Sequence, residues 1–201
     1  MVSYAVQERY ASAKQVVMAT PLTPLLSRMR TVDPGGRPVQ ARVTRPRVLR
    51  SAERTLNETV LCSIATIGAG NSAHINTAYF SFSRGLDLYF LSHPDSLHCR
   101  NLSRNPRAAV AVYSSRQNWD GPDRGLQLFG RCAEARGRAA VIATRSYSRR
   151  FPGYRAWVDR APGSAAAYRF YRFTTSTVKV FDESELGDGV FVMARVTHQS
   201  S

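Results

Sequence analysis

The chain has 201 residues, 43% of them hydrophobic, with 28 Lys and Arg against 14 Asp and Glu for a formal charge of +14. That length suits one domain with a sizeable core and leaves room for an appended arm. No apolar run approaches the ~18 residues of a membrane span, and the opening Met1-Val2-Ser3-Tyr4-Ala5-Val6-Gln7-Glu8-Arg9 has no basic stretch leading into an apolar one, so neither a membrane protein nor a signal-directed one is expected.

Cys62, Cys99 and Cys132 are far apart, odd in number and form no CxxC pair. That argues against a disulfide framework and a zinc site, and points to buried, reduced thiols in a cytoplasmic protein. The cations are arginines except Lys14 and Lys179. Residues 1–57 carry ten of them against Glu8, Asp33 and Glu53, a net of +7, which is half of the excess. No basic run is interleaved with aromatics as on a single-strand-binding surface, so nucleic acid is not expected as the main partner.

Residues 1–50 read as a basic arm or extension and 51–201 as the folded domain. The arm carries apolar patches at Val16-Val17-Met18 and from Leu22 to Leu26, then a turn signal at Asp33-Pro34-Gly35-Gly36; Pro21 and Pro24 argue against a long helix there. Ser51 to Glu58 suits a short helix with Ser51 near its N-cap. Strands are predicted at Val60–Ile67, Ala73–Phe82 and Leu86–Leu91, separated by turns at Gly68-Ala69-Gly70-Asn71 and Arg84-Gly85. A helix fits Ser96 to Arg104, stopped by Asn105-Pro106. Strands follow at Ala108–Tyr113 and Gly125–Glu134. Ala140, Ala143, Tyr147 and Phe151 sit at helical spacing within a helix over 137–151. A helical turn at Tyr154–Val158 and strands at Tyr168–Phe173, Thr177–Asp182 and Gly189–Val196 complete the chain. This rhythm of strands and tight turns is that of an antiparallel sheet or barrel.

In order and wording these segments resemble the pyridoxamine 5′-phosphate oxidase-like family. The likeness rests on Leu61-Cys62-Ser63-Ile64-Ala65-Thr66; Ala73-His74-Ile75-Asn76-Thr77-Ala78-Tyr79-Phe80; Leu88-Tyr89-Phe90-Leu91-Ser92; Ser96-Leu97-His98-Cys99-Arg100-Asn101-Leu102 with Asn105-Pro106-Arg107-Ala108-Ala109-Val110; and Leu126-Gln127-Leu128-Phe129-Gly130. The resemblance implies a mainly β fold with flanking helices, an antiparallel Greek-key split β-barrel. It also implies a homodimer with FMN bound between its subunits and an oxidoreductase activity on a small organic substrate. The long substrate-binding C-terminal extension expected of a true pyridoxamine phosphate oxidase is not recognised in the sequence, so vitamin B6 is not the expected substrate.

The chemistry fits in outline. FMN presents a phosphate, a ribityl chain and a flat, mostly apolar ring. Ser96, His98, Arg100 and Asn101 lie at a helix start, where free N–H groups and the dipole attract phosphate; a hydroxyl at Ser96 and donors at Arg100 would complete a cradle. The resemblance lays Ser63, Ala65 and Thr66 on one strand, and Asn76, Thr77 and Ala78 on the next, along the ring and ribityl chain, with Gln127 approaching from the partner subunit. His74, Tyr79 and Trp119 are the candidates for a place near the substrate. No metal ligands are expected. The alternatives are the same barrel using deazaflavin F420 or haem, and a flavin- or ligand-binding protein without turnover.

Overall fold

The computed structural model describes residues 21–23 and 25–198, the Leu25 side chain excepted; the patch at Val16-Val17-Met18 lies outside them. The elements are β1 (Leu25–Val32), α1 (Arg45–Glu58), β2 (Leu61–Ile67), β3 (Ala73–Phe82), β4 (Leu88–Ser92), α2 (Leu97–Arg104), β5 (Arg107–Tyr113), β6 (Arg124–Glu134), α3 (Arg138–Arg150), α4 (Gly153–Arg160), α5 (Pro162–Ala166), β7 (Arg169–Asp182), α6 (Glu183–Leu186) and β8 (Phe191–Thr197). No helix among the described residues is long and apolar enough to cross a membrane.

All eight strands form one antiparallel sheet in the order β1-β8-β7-β4-β3-β2-β5-β6, and a further pairing of β6 with β7 closes six of them into a barrel. The mainly β split barrel expected from the sequence is therefore present. Its closure depends on the length of β7. Arg169–Phe173 pair with β4, Thr177–Phe181 pair with β8, and β6 runs beside both halves. The two strands predicted at 168–173 and 177–182 are thus one bent strand. The bend is absorbed at Phe129/Gly130, where the register shifts. A Cβ on Gly130 would lie 2.0 Å from the Thr174 carbonyl oxygen, so only glycine lets the two backbones approach this closely.

Alternating side chains fill the barrel. Ile64, Phe80, Phe90, Val112, Leu128, Phe173 and Val180 are almost wholly shielded from water. Burying a side chain of this size is worth roughly 1.5–3 kcal/mol relative to leaving it exposed. All three cysteines are unpaired and buried, and burial pushes the Cys62 thiol up to about 12.

Two expectations about the first fifty residues need correction. Leu25–Val32 is a strand paired with β8, and α1 starts at Arg45 rather than near Ser51, with a proline in its first turn. Ser51 is instead buried on the inner side of α1. Its Oγ donates to Asp182 Oδ2 at 2.7 Å, beside Arg54 Nη2 at 2.6 Å on the same oxygen. Burial works to raise the Asp182 carboxyl, but hydrogen bonds from Ser184, Ser51 and Arg54 outweigh it and hold the group below its ordinary range. β4 begins at Leu88 rather than Leu86, because Leu86 takes a left-handed turn conformation with φ 69°.

Helix α3 covers the outside of β3, β4 and β7. Arg150 near its end is buried, its Nη2 donating to the carbonyls of Leu56 at 2.6 Å and Thr59 at 2.5 Å. The guanidinium lies over the rings of Phe80 at 4.8 Å and Phe82 at 5.1 Å. It thus closes the end of α1, whose last carbonyls have no partner within the helix.

Candidate functional site

The start of α2 gathers the polar groups of the predicted anion cradle. Strand β4 ends at Ser92, a short turn follows, and Ser96 caps the helix with extended backbone. The Ser96 hydroxyl does not bond back to the helix; it lies 3.1 Å from His98 Nε2, and the Ser92 hydroxyl lies 2.7 Å from the same nitrogen. The N–H groups of the first turn are left without a side-chain cap, the arrangement that attracts an oxyanion. His98 is buried, tilted against Phe90 and parallel to His74, with ring centroids 6.2 and 6.4 Å away. Burial lowers its pKa below the ordinary 6.5, so the neutral imidazole prevails at neutral pH.

Arg100 and Asn101 each make one hydrogen bond within the chain. Arg100 is exposed and its Nη1 donates to the Asp95 carbonyl at 2.8 Å, bracing the turn before the helix. Its Nε and Nη2 make no hydrogen bond among the described residues. Asn101 is buried, and its Nδ2 donates to Thr66 Oγ1 at 3.2 Å. It ties α2 to β2.

The sheet separates the remaining predicted residues into two sets. In β2, β3, β5 and β6 odd-numbered side chains face outward. The register aligns Thr77, Ser63, Ala111 and Gln127 in one cross-strand row and Ile75, Ala65, Ala109 and Phe129 in the next. Even-numbered residues face the other way, so His74, Asn76, Ala78 and Thr66 lie on the α2 side. Ser63, Ala65, Thr77, Tyr79 and Gln127 thus share one face, and Thr66, Asn76, Ala78, Ser96, His98 and Asn101 the other. The five segments of sequence could not reveal this split, because parity matters only once the register is known. Ser92 ends one of the segments that carry the resemblance but is not among the expected site residues; as the last residue of a strand it looks structural.

The outer face is apolar and open: Ile75 is 68% exposed, Tyr79 55% and Leu61 42%. Tyr79 packs edge-on against Phe151 at 5.6 Å. Trp119 is fully exposed on the loop between β5 and β6 and covers nothing among the described residues. No group of three or more His, Cys, Asp or Glu among the described residues is arranged to hold a metal ion.

A closed six-stranded antiparallel barrel with flanking helices defines the class of split-barrel proteins. Within it, the family model for pyridoxamine 5′-phosphate oxidase matches residues 49–182, and the chain belongs to that family. Solved structures agree on the fold. A haem-binding protein from Mycobacterium smegmatis is 17% identical with a TM-score of 0.61, over 76% of this chain and 60% of that one. The haem storage protein HutZ from Vibrio cholerae is 13% identical with a TM-score of 0.52, over 64% and 89%. An FAD-binding protein from Mesorhizobium loti is 15% identical with a TM-score of 0.50, over 86% and 98%. No curated protein matches the sequence.

Proposed function

We propose that the protein is an FMN-dependent oxidoreductase for a small organic substrate, working as a homodimer in the cytoplasm. The observation that carries this reading is the convergence of the Ser92 and Ser96 hydroxyls, His98 Nε2 and the uncapped start of α2 in a chain of this family. These groups suit a phosphate's need for donors. Ser96, His98 and the first-turn N–H groups would hold it, with His74 and Asn76 beside it on β3. When bound, FMN supplies the redox chemistry, and the protein supplies placement and electrostatics.

The chain's own residues shape the rest. Ser92 and Ser96 orient the imidazole, and Phe90 shields it from water. The outer face, with Ile75, Leu61 and Phe129 exposed, is the surface on which a second copy would bury apolar area. Gln127 and Thr77 lie on that face and would reach the cofactor only from the partner. His74, Tyr79 and Trp119 are the side chains to test for contact with substrate.

The absorption spectrum of the freshly purified protein tests this, with mass spectrometry of whatever denaturation releases. Twin bands of oxidised flavin and a released FMN support it. A second reading, haem, is favoured by one observation: the buried part of the cluster holds no fixed cation, since His98 is neutral and Arg100 is exposed. A Soret band would decide for haem.

A further inference from the structure

The far end of the outer face carries an unexplained pair. Arg107 of β5 and Arg131 of β6 are directly opposed in the register, and both are exposed. Side chains opposed in this way stand about 5 Å apart at Cβ, and like charges there repel. Among the described residues neither guanidinium makes a hydrogen bond or an ion pair. An ordinary solvated sheet would place an acid at one of the two positions. Here the odd-numbered positions of β2, β3, β5 and β6 hold no aspartate or glutamate at all. If two copies met through this face, each would bring two more arginines and no carboxylate from those strands. The odd-numbered positions of these strands therefore supply no counter-charge to the pair.

We propose that Arg107 and Arg131, opposed across β5 and β6 on the outer face of the sheet, form a binding site for the phosphate group of a small ligand. Two guanidiniums side by side present paired N–H donors matched to a tetrahedral dianion. Arg131 also faces Thr174 of β7 in the register, which adds a hydroxyl at the same level. The site is separate from the start of α2. Thr66, which Asn101 of α2 touches, points to the opposite side of the sheet. The proposal therefore stands without the flavin reading.

The test uses the full chain and inorganic phosphate. Thermal midpoints are compared in sodium phosphate and sodium chloride at equal ionic strength and pH, and affinity is measured by calorimetry. Phosphate should stabilise the wild type beyond chloride. Arg107→Gln and Arg131→Gln should each weaken phosphate binding by about tenfold or more. Arg131→Glu should abolish it while raising the midpoint in chloride, because it converts a repulsive cross-strand pair into an attractive one. That last readout would not follow if the arginines were structural. Competition then separates the sources. FMN displacing phosphate where riboflavin does not would mark a phosphorylated molecule as the ligand; displacement by neither would leave free phosphate as the ligand of the same pair. The proposal is overturned if phosphate adds nothing over chloride, or if the Arg107→Gln/Arg131→Gln double variant keeps the response. It is equally overturned if the response survives that change but vanishes in Ser96→Ala, which would put the anion at α2 alone.

Discussion

The Ser92 hydroxyl oxygen lies 2.7 Å from His98 Nε2, so the last residue of β4 grips the first turn of α2. The imidazole is buried there and its pKa is depressed by that burial. The unfolded chain, with a pKa near the ordinary 6.5, therefore takes up the proton first. This group's share of stability is complete above 6.5 and is lost as pH falls through the lower, folded value. Thermal midpoints of wild type and His98→Gln between about pH 8 and 5 should show this. The wild type should lose ground against the variant only on the acid side. A constant difference across the range would contradict it.

Asn101 and Thr66 tie the helix to the sheet through one buried hydrogen bond. Asn101→Ala should destabilise the protein by about 1–3 kcal/mol in urea unfolding, because the Thr66 hydroxyl loses its partner while staying buried. Thr66→Val should cost less on its own, and the double variant should fall short of the sum of the two.

The bend in β7 requires Gly130. Gly130→Ala would force a Cβ to within 2.0 Å of the Thr174 carbonyl oxygen, and neither backbone can yield without opening the β6–β7 pairing. The expected loss is about 3 kcal/mol or failure to fold, read from urea unfolding and soluble yield. Near-wild-type stability would mean that the barrel is not closed at this point.

The outer face should govern assembly. Ile75 is 68% exposed, so Ile75→Arg should leave the circular dichroism spectrum unchanged and shift light-scattering mass from dimer to monomer. A wild-type monomer would refute the homodimer directly.

How much of this was legible beforehand follows from what each feature depends on. The alternation in Val60–Ile67 and Ala73–Phe82 and the turn at Gly68–Asn71 are local, and the strands stand where periodicity put them. The motif from Ser96 to Asn105 likewise marked α2. The residue type of Arg100 suggests an anion clamp, but the hold of the Asp95 carbonyl on its Nη1 is not written in the motif. Ser51 misled because a serine ahead of a helical pattern looks like a cap, whereas Asp182, far along the chain, claims its hydroxyl. Strand β1 was hidden because two prolines and a bulge between Ser27 and Arg30 obscure its alternation. The separation of Ser63, Ala65, Thr77 and Gln127 from Asn76 and His98 depends on register and curvature, which no single segment encodes.

The most direct check on the α2 cluster is a titration of the cofactor-stripped full chain with FMN, followed by flavin fluorescence, in wild type, Ser96→Ala and His98→Ala. Tight binding by the wild type and a loss of tenfold or more in both variants, with riboflavin binding weakly to all three, is the expected result. Equal FMN affinity in all three proteins, or FMN and riboflavin binding alike, would remove Ser96 and His98 from the cofactor site.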